Sequence, residues 1–124
     1  MFKIIDTTIH LTRGDVAALD IKAKQEDGTY YTFKVNDIVR FKIMKKGDCN
    51  TIYLTKDVTV GEEAESVVIP LTSENTKIGD LINKPTKYWY EVELNPDTNP
   101  QTIIGYDNVS GAKILTLYPE GGDE

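Results

Sequence analysis

Apolar and polar residues alternate most cleanly over residues 88–94, which read Tyr-Trp-Tyr-Glu-Val-Glu-Leu. Successive side chains of a strand point to opposite faces, so Tyr88, Tyr90, Val92 and Leu94 share one side while Trp89, Glu91 and Glu93 share the other. A helix would scatter the same apolar residues around its circumference, and the aromatic and β-branched content suits a pleated surface. The pattern predicts a central strand whose first face is core. Val92→Asp should then unfold the domain, and Glu93→Lys should be nearly silent.

Shorter alternations surround it. Residues 2–5 and 8–12 are β-rich and read as one broken first strand, with Ile9 and Leu11 on one face and His10 and Thr12 on the other. After the turn Arg13-Gly14-Asp15, residues Ala17, Leu19, Ile21 and Ala23 alternate with Ala18, Asp20, Lys22 and Lys24, the pattern of a half-buried strand. Glu26-Asp27-Gly28 has the residue types of a hairpin turn, because Asp and Gly tolerate positive φ, so residues 29–33 should return antiparallel. Beyond the turn at Asn36-Asp37, the pattern sends Val39, Phe41 and Ile43 inward and Arg40 and Lys42 to solvent. A polar turn over 45–50, a short strand over 51–55 and an acidic loop over 61–65 follow. Val67, Ile69 and Leu71 then point inward, and Pro70, lacking an N–H, suits an edge or a strand end.

Thr72-Ser73-Glu74-Asn75-Thr76 reads as a capped helical turn continuing to about Asn83, since a hydroxyl at the start can accept an orphan backbone N–H. Ile78, Leu81 and Ile82 would close one end of the core. Lys84-Pro85 ends that turn, residues 95–100 break the central strand, and 101–106 come back as its hairpin partner. Asn108-Val109-Ser110-Gly111 turns the chain into a final strand over 112–118. About eight short strands with one brief helical turn give the pattern of an all-β antiparallel sandwich.

Composition narrows this without changing it. A chain of 124 residues, 40% hydrophobic, suits one domain over 1–119, with 120–124 as a flexible acidic tail. A formal charge of −6 lacks the broad positive field that phosphate backbones need, so nucleic acid is not an expected partner. No apolar run approaches the roughly 20 residues that span a bilayer, and the first residues lack a signal-peptide core. These features predict a soluble protein outside the usual secretory route. The one cysteine, Cys49, excludes an internal disulfide and a multi-cysteine metal site, and no motif calls for a cofactor.

Several segments in order carry a resemblance: Leu11-Thr12-Arg13-Gly14-Asp15, the alternating strand that ends in Asp27-Gly28, Val39-Arg40-Phe41-Lys42-Ile43 followed by lysines, Leu71-Thr72-Ser73-Glu74-Asn75-Thr76, and the aromatic, acidic, aliphatic strand 88–94. Together they resemble, nearly end to end, the immunoglobulin-like module of tailed-phage tail and baseplate proteins, the type at the N-terminus of baseplate upper proteins. The chain departs from that pattern in its proline-rich loop 95–100 and in a closing strand, Ala112-Lys113-Ile114, without an aromatic anchor. The resemblance implies an immunoglobulin-like sandwich and a non-enzymatic virion structural component. Such a protein, of a phage or prophage, packs against copies of itself or other tail proteins. It would reside in a virion, or in the bacterial cytoplasm when expressed from a prophage.

Candidate chemistry is sparse. Arg13-Gly14-Asp15 spells an integrin-recognition tripeptide, which works only at an exposed loop tip; the ordinary turn is the better reading. His10 is the sole imidazole and has no local acid–base partner, and Cys49 is an unreactive thiol beside the mobile lysines Lys45 and Lys46. Glu91 and Glu93 fall roughly 7 Å apart on one strand face, a glycosidase-like spacing that solvated strand charges produce far more often. Glu62, Glu63, Asp97 and Asp107 show no calcium-loop spacing, and Asn108-Val109-Ser110 is a glycan-acceptor pattern read here as a turn.

Trp89 is the most informative side chain. It should project from the sheet face opposite Tyr90 and Val92, near Glu91, Arg40 or Lys42 if those strands are neighbours. The bland reading packs its ring under a loop or against long basic stems. The functional one makes Trp89, Tyr88, Tyr53 and Arg40 an interaction surface, because large amphipathic aromatics concentrate interface energy. A protein partner, or self-association, is the first expectation for that surface. A glycan on a carbohydrate-binding or adhesin-like sandwich is the alternative.

Overall fold

The computed structural model describes residues 2–3, 9–25, 27–78, 84–98, 100–104 and 113–119. Ten strands occur among them: β1 (Phe2–Lys3), β2 (Ile9–Thr12), β3 (Ala17–Ile21), β4 (Lys24–Gln25), β5 (Ile38–Lys45), β6 (Asp48–Thr59), β7 (Val67–Leu71), β8 (Thr86–Leu94), β9 (Gln101–Ile104) and β10 (Lys113–Tyr118). The fold is all-β, with no helix among the described residues.

β8 is central, as its alternation predicts. β5 occupies one edge of it, pairing Val39 with Leu94 through to Met44 with Trp89. Along the other edge β9 and β10 lie end to end, β9 opposite the Val92 end and β10 opposite the Thr86 end. With β6 outside β5 and β2 outside β10, the large sheet runs β2-β10-β8-β5-β6. A second sheet pairs β3 with β7, and β1 pairs with β4. Pro70 lies on β7, whose one described strand partner is β3, as a residue without a donor requires.

Two features differ from the sequence expectation of an antiparallel sandwich with about eight strands and a helical turn. The large sheet is mixed, because β2 runs parallel to β10, pairing Ile9 with Leu115 and Leu11 with Leu117. Alternation is the same in parallel and antiparallel strands, so residues 9–12 carry no sign of direction. The helical turn is a single capped turn. The Asn75 N–H donates to Thr72 Oγ1 (3.2 Å), the Thr72 N–H donates to Asn75 Oδ1 (2.9 Å), and the Thr76 N–H reaches Thr72 O (3.3 Å). It stops there because Thr76 is tied elsewhere: its hydroxyl donates to Asp15 O (2.8 Å) and accepts from the Gly14 N–H (2.9 Å). Residues 79–83, including Leu81 and Ile82, lie outside the described residues, whereas Ile78 is buried in the core.

One hydrophobic core joins the sheets. Val39, Phe41 and Ile43 from β5 and Tyr88, Tyr90, Val92 and Leu94 from β8 cluster with Val67, Ile69 and Leu71 from β7 and Ile21 from β3. The large sheet and the β3–β7 pair therefore bury their facing sides in a sandwich-like arrangement. Each fully buried aliphatic or aromatic side chain contributes about 1.5–3 kcal/mol, which makes this shared layer the main source of stability. Glycines at positive φ close the turns: Gly28 (91°) follows Asp27, whose carboxylate accepts from the Thr29 N–H (3.0 Å), and Gly47 (83°) turns β5 into β6.

β6 extends over Asp48–Thr59, well beyond the short strand read at 51–55. Its register against β5 slips between Ile43 and Met44, where Ile43 pairs with Leu54 and Met44 with Ile52. The residue inserted at that bulge is Tyr53, a device that re-aims a side chain.

Candidate functional site

With Tyr88, Tyr90, Val92 and Leu94 turned into the core, the alternate residues of the large sheet form its outer face. Residues directly opposite in a sheet share a face, so the register assembles this surface row by row. Ile52 on β6 pairs with Met44 on β5, Met44 with Trp89 on β8, and Trp89 with Ile114 on β10. An apolar row thus crosses four adjacent strands. Met44 is buried between its neighbours, Trp89 and Ile114 are half-buried, and Ile52 is 49% exposed.

The rows on one side of it are charged. Lys42 Nζ lies 2.8 Å from Glu93 Oε1 and 3.2 Å from Glu91 Oε1. Arg40 makes a two-pronged contact with Asp57, Nε to Oδ1 at 2.8 Å and Nη2 to Oδ2 at 3.0 Å, and also reaches Asp97 Oδ2 at 3.2 Å. Hydrogen bonding to Asp57 raises the Arg40 pKa further, the Glu93 carboxylate raises that of Lys42, and Arg40 lowers that of Asp57. Two cations against four carboxylates leave this end of the face acidic.

Arg40 and Lys42 therefore do not simply face solvent, as alternation suggests. They are half-buried centres of ion-pair networks. Glu93 is also not the neutral position expected for a charge reversal, because it carries the shorter of the two contacts to Lys42. The spacing of Glu91 and Glu93 is explained the same way: both carboxylates converge on one ammonium, a structural ion pair.

Of the four residues read as an interaction surface, Trp89 and Arg40 share the outer face. Tyr88 does not; it is 6% exposed and belongs to the core. Tyr53 meets it edge-on, with ring centroids 5.3 Å apart at 85°, which the bulge at Ile52–Tyr53 permits. A four-member surface is thus replaced by the row that includes Trp89. Met44, Ile52 and Ile114 complete it. None of these three was read from the sequence, because the pairing that aligns them with Trp89 lies in the register.

Two of the other candidate motifs have structural partners. Gly14 of Arg13-Gly14-Asp15 has φ 87° and is clasped by Ser73 and Thr76, Ser73 Oγ donating to Gly14 O at 2.7 Å. That fixes the tripeptide as a strand-to-strand turn. His10 is exposed, stacked on Tyr118 with centroids 5.9 Å apart and sharing a hydrogen bond between Nδ1 and the phenol oxygen at 3.1 Å. The side chain of Cys49, and Asp107 with 108–110, lie outside the described residues. No cluster of three or more His, Cys, Asp or Glu poised for a metal occurs among the described residues.

A second polar network, not read from the sequence, fastens the start of β5 to the end of β8. Asp37, 9% exposed, accepts from the Tyr31 hydroxyl (2.8 Å), the Lys34 N–H (2.9 Å) and Asn95 Nδ2 (3.2 Å). Asn95 in turn accepts from the Ile38 N–H (2.8 Å) and donates its own N–H to Ile38 O (2.7 Å). Burial alone would push the Asp37 carboxyl up, but the three hydrogen bonds outweigh it and hold the group below its ordinary value. Burial and the same carboxylate push Tyr31 up to about 12.

No protein-family model, curated protein or solved structure matches the chain.

Proposed function

We propose that this chain is a non-enzymatic protein–protein interaction module whose working surface is the outer face of the large sheet. The apolar row Ile52–Met44–Trp89–Ile114 carries the reading, since an apolar centre rimmed by charged rows is the anatomy of a docking patch. The convergence of Glu91 and Glu93 on Lys42 supports a structural role for the carboxylates that a hydrolase reading would use.

The strand order supports the immunoglobulin-like reading. A β10-β8-β5-β6 sheet opposite a β3–β7 pair corresponds to the G-F-C-C′ and B–E arrangement of variable-type domains. The resemblance noted in the sequence extends it to a tail or baseplate component of a phage or prophage. Such a component works in a virion and is made in the bacterial cytoplasm. A protein partner fits better than a glycan, because Tyr88 is core and Tyr53 packs on it, which leaves Trp89 without an aromatic platform among the described residues.

The test is a binding titration of the labelled chain against the unlabelled chain itself and against individually purified tail and baseplate proteins, with Ile52→Lys and Trp89→Ala as variants. Saturable binding to one of them, lost in Ile52→Lys, is expected. Silence against every component and against itself, or glycan-array binding that disappears in a folded Trp89→Ala, would replace this reading.

A further inference from the structure

Charge is distributed unequally on the two sides of the apolar row. Toward Asn95 lies the acidic end, where Asp57, Asp97, Glu91 and Glu93 outnumber Arg40 and Lys42. Toward the start of β8 lies Lys87, exposed on this face, and beside it the β5–β6 turn with exposed Lys46. Thr116 and His10 continue the Lys87 row across β10 and β2 with no carboxylate. One sheet face thus presents an apolar line with a basic side and an acidic side.

That pattern is self-complementary in one orientation. We infer that the outer face of the large sheet docks on the same face of a second copy of this chain, about a two-fold axis lying along the apolar row. Rotation about that axis keeps each row residue over its own counterpart, Trp89 on Trp89 and Ile52 on Ile52, and exchanges the two sides. Lys87 and Glu91 flank Trp89 two residues away on the same strand and the same face, so each Lys87 then lies over the other copy's Glu91. An axis along the strands would instead stack acidic end on acidic end, which like-charge repulsion disfavours. The contact is isologous and closes at two copies. Four strands at about 4.8 Å spacing and six residues at about 3.4 Å rise make a patch of roughly 20 by 20 Å, about 800 Å² over the two copies, the size of a weak, transient interface. The association is therefore concentration-dependent and weakens as salt screens the Lys87–Glu91 pairs.

This inference rests on the interaction-module reading and fixes its partner. Sedimentation equilibrium of the full chain, from about 10 μM to about 1 mM at low and high salt, tests it. The wild type should follow a monomer–dimer isotherm. Ile52→Lys and Lys87→Glu should each raise Kd by about tenfold or more, and the exchange Lys87→Glu with Glu91→Lys should return it to within about threefold of wild type. Lys42 keeps its shorter partner, Glu93, in the exchanged protein, and circular dichroism and melting confirm that each variant is folded. A wild type that stays monomeric throughout overturns the dimer. So does a folded Ile52→Lys that dimerises unchanged, or an exchange that fails to restore what Lys87→Glu lost. A monomeric wild type that still binds a tail protein through an Ile52-dependent contact refutes self-pairing while leaving the interaction module intact.

Discussion

Replacing Asp37 with Ala tests the latch between β5 and β8. The carboxylate is 9% exposed and accepts three hydrogen bonds, from the Tyr31 hydroxyl, the Lys34 N–H and Asn95 Nδ2. A hydrogen bond to a charged group contributes about 1.5–3 kcal/mol, and a buried donor left unmatched costs about 1–3 kcal/mol. Lys34 is exposed and Tyr31 and Asn95 are half-buried, so water replaces part of what is lost. The net loss should be about 2–4 kcal/mol, against about 1 kcal/mol for Tyr31→Phe, which removes one donor. For a chain of this length that corresponds to a fall of roughly 10 °C in Tm.

The pH dependence follows from the same group. Its folded pKa lies below the unfolded value of about 3.9, so its contribution is fully present above that value and fades as pH falls through the folded pKa. Asp37→Asn has no such group. The stability gap between wild type and Asp37→Asn, read by urea unfolding, should be widest at neutral pH and narrow below about pH 4. A gap that stays constant or widens in acid, or a loss under about 0.5 kcal/mol in Asp37→Ala at pH 7, would refute the latch.

The remaining predictions concern the faces and turns. Tyr31, pushed up to about 12, stays neutral in the fold after the unfolded chain has begun to ionise near pH 10, so stability should decline between about pH 10 and 12. Tyr31→Phe should lack that component in alkaline melts. Val92→Asp buries a charge at a position with no exposure and should abolish the β-type circular dichroism spectrum; a cooperative transition near the wild-type Tm would contradict the core assignment. Glu93→Lys removes the 2.8 Å partner of Lys42 and sets a second ammonium beside it, so it should cost about 1–2 kcal/mol, shrinking in high salt. An unchanged urea midpoint would show that the network contributes nothing. Gly47→Ala at φ 83° should cost about 1–2 kcal/mol by denaturant titration, because space is open there and only the backbone objects.

Much of the fold was legible along the chain because a strand with one buried face writes its geometry into every second residue. Residues 88–94 announced the centre of the large sheet, Val39, Phe41 and Ile43 its neighbour, and Asp27-Gly28 and Gly47 the turns, each from local sterics. Pairing direction, register and the identity of neighbours were not legible, because they join residues far apart in sequence and alternation is indifferent to them. The parallel match of Ile9 with Leu115 is of this kind, and so is the alignment of Ile52, Met44, Trp89 and Ile114. One inserted residue at the β6 bulge moved Tyr53 onto Tyr88, and the neighbouring strands turned Arg40 and Lys42 from solvated charges into ion-pair centres. Local chemistry dictates which side chains are greasy, charged or able to turn. Which of them meet is set by the folded sheet, since meeting requires long-range hydrogen-bonded registers that no local preference specifies.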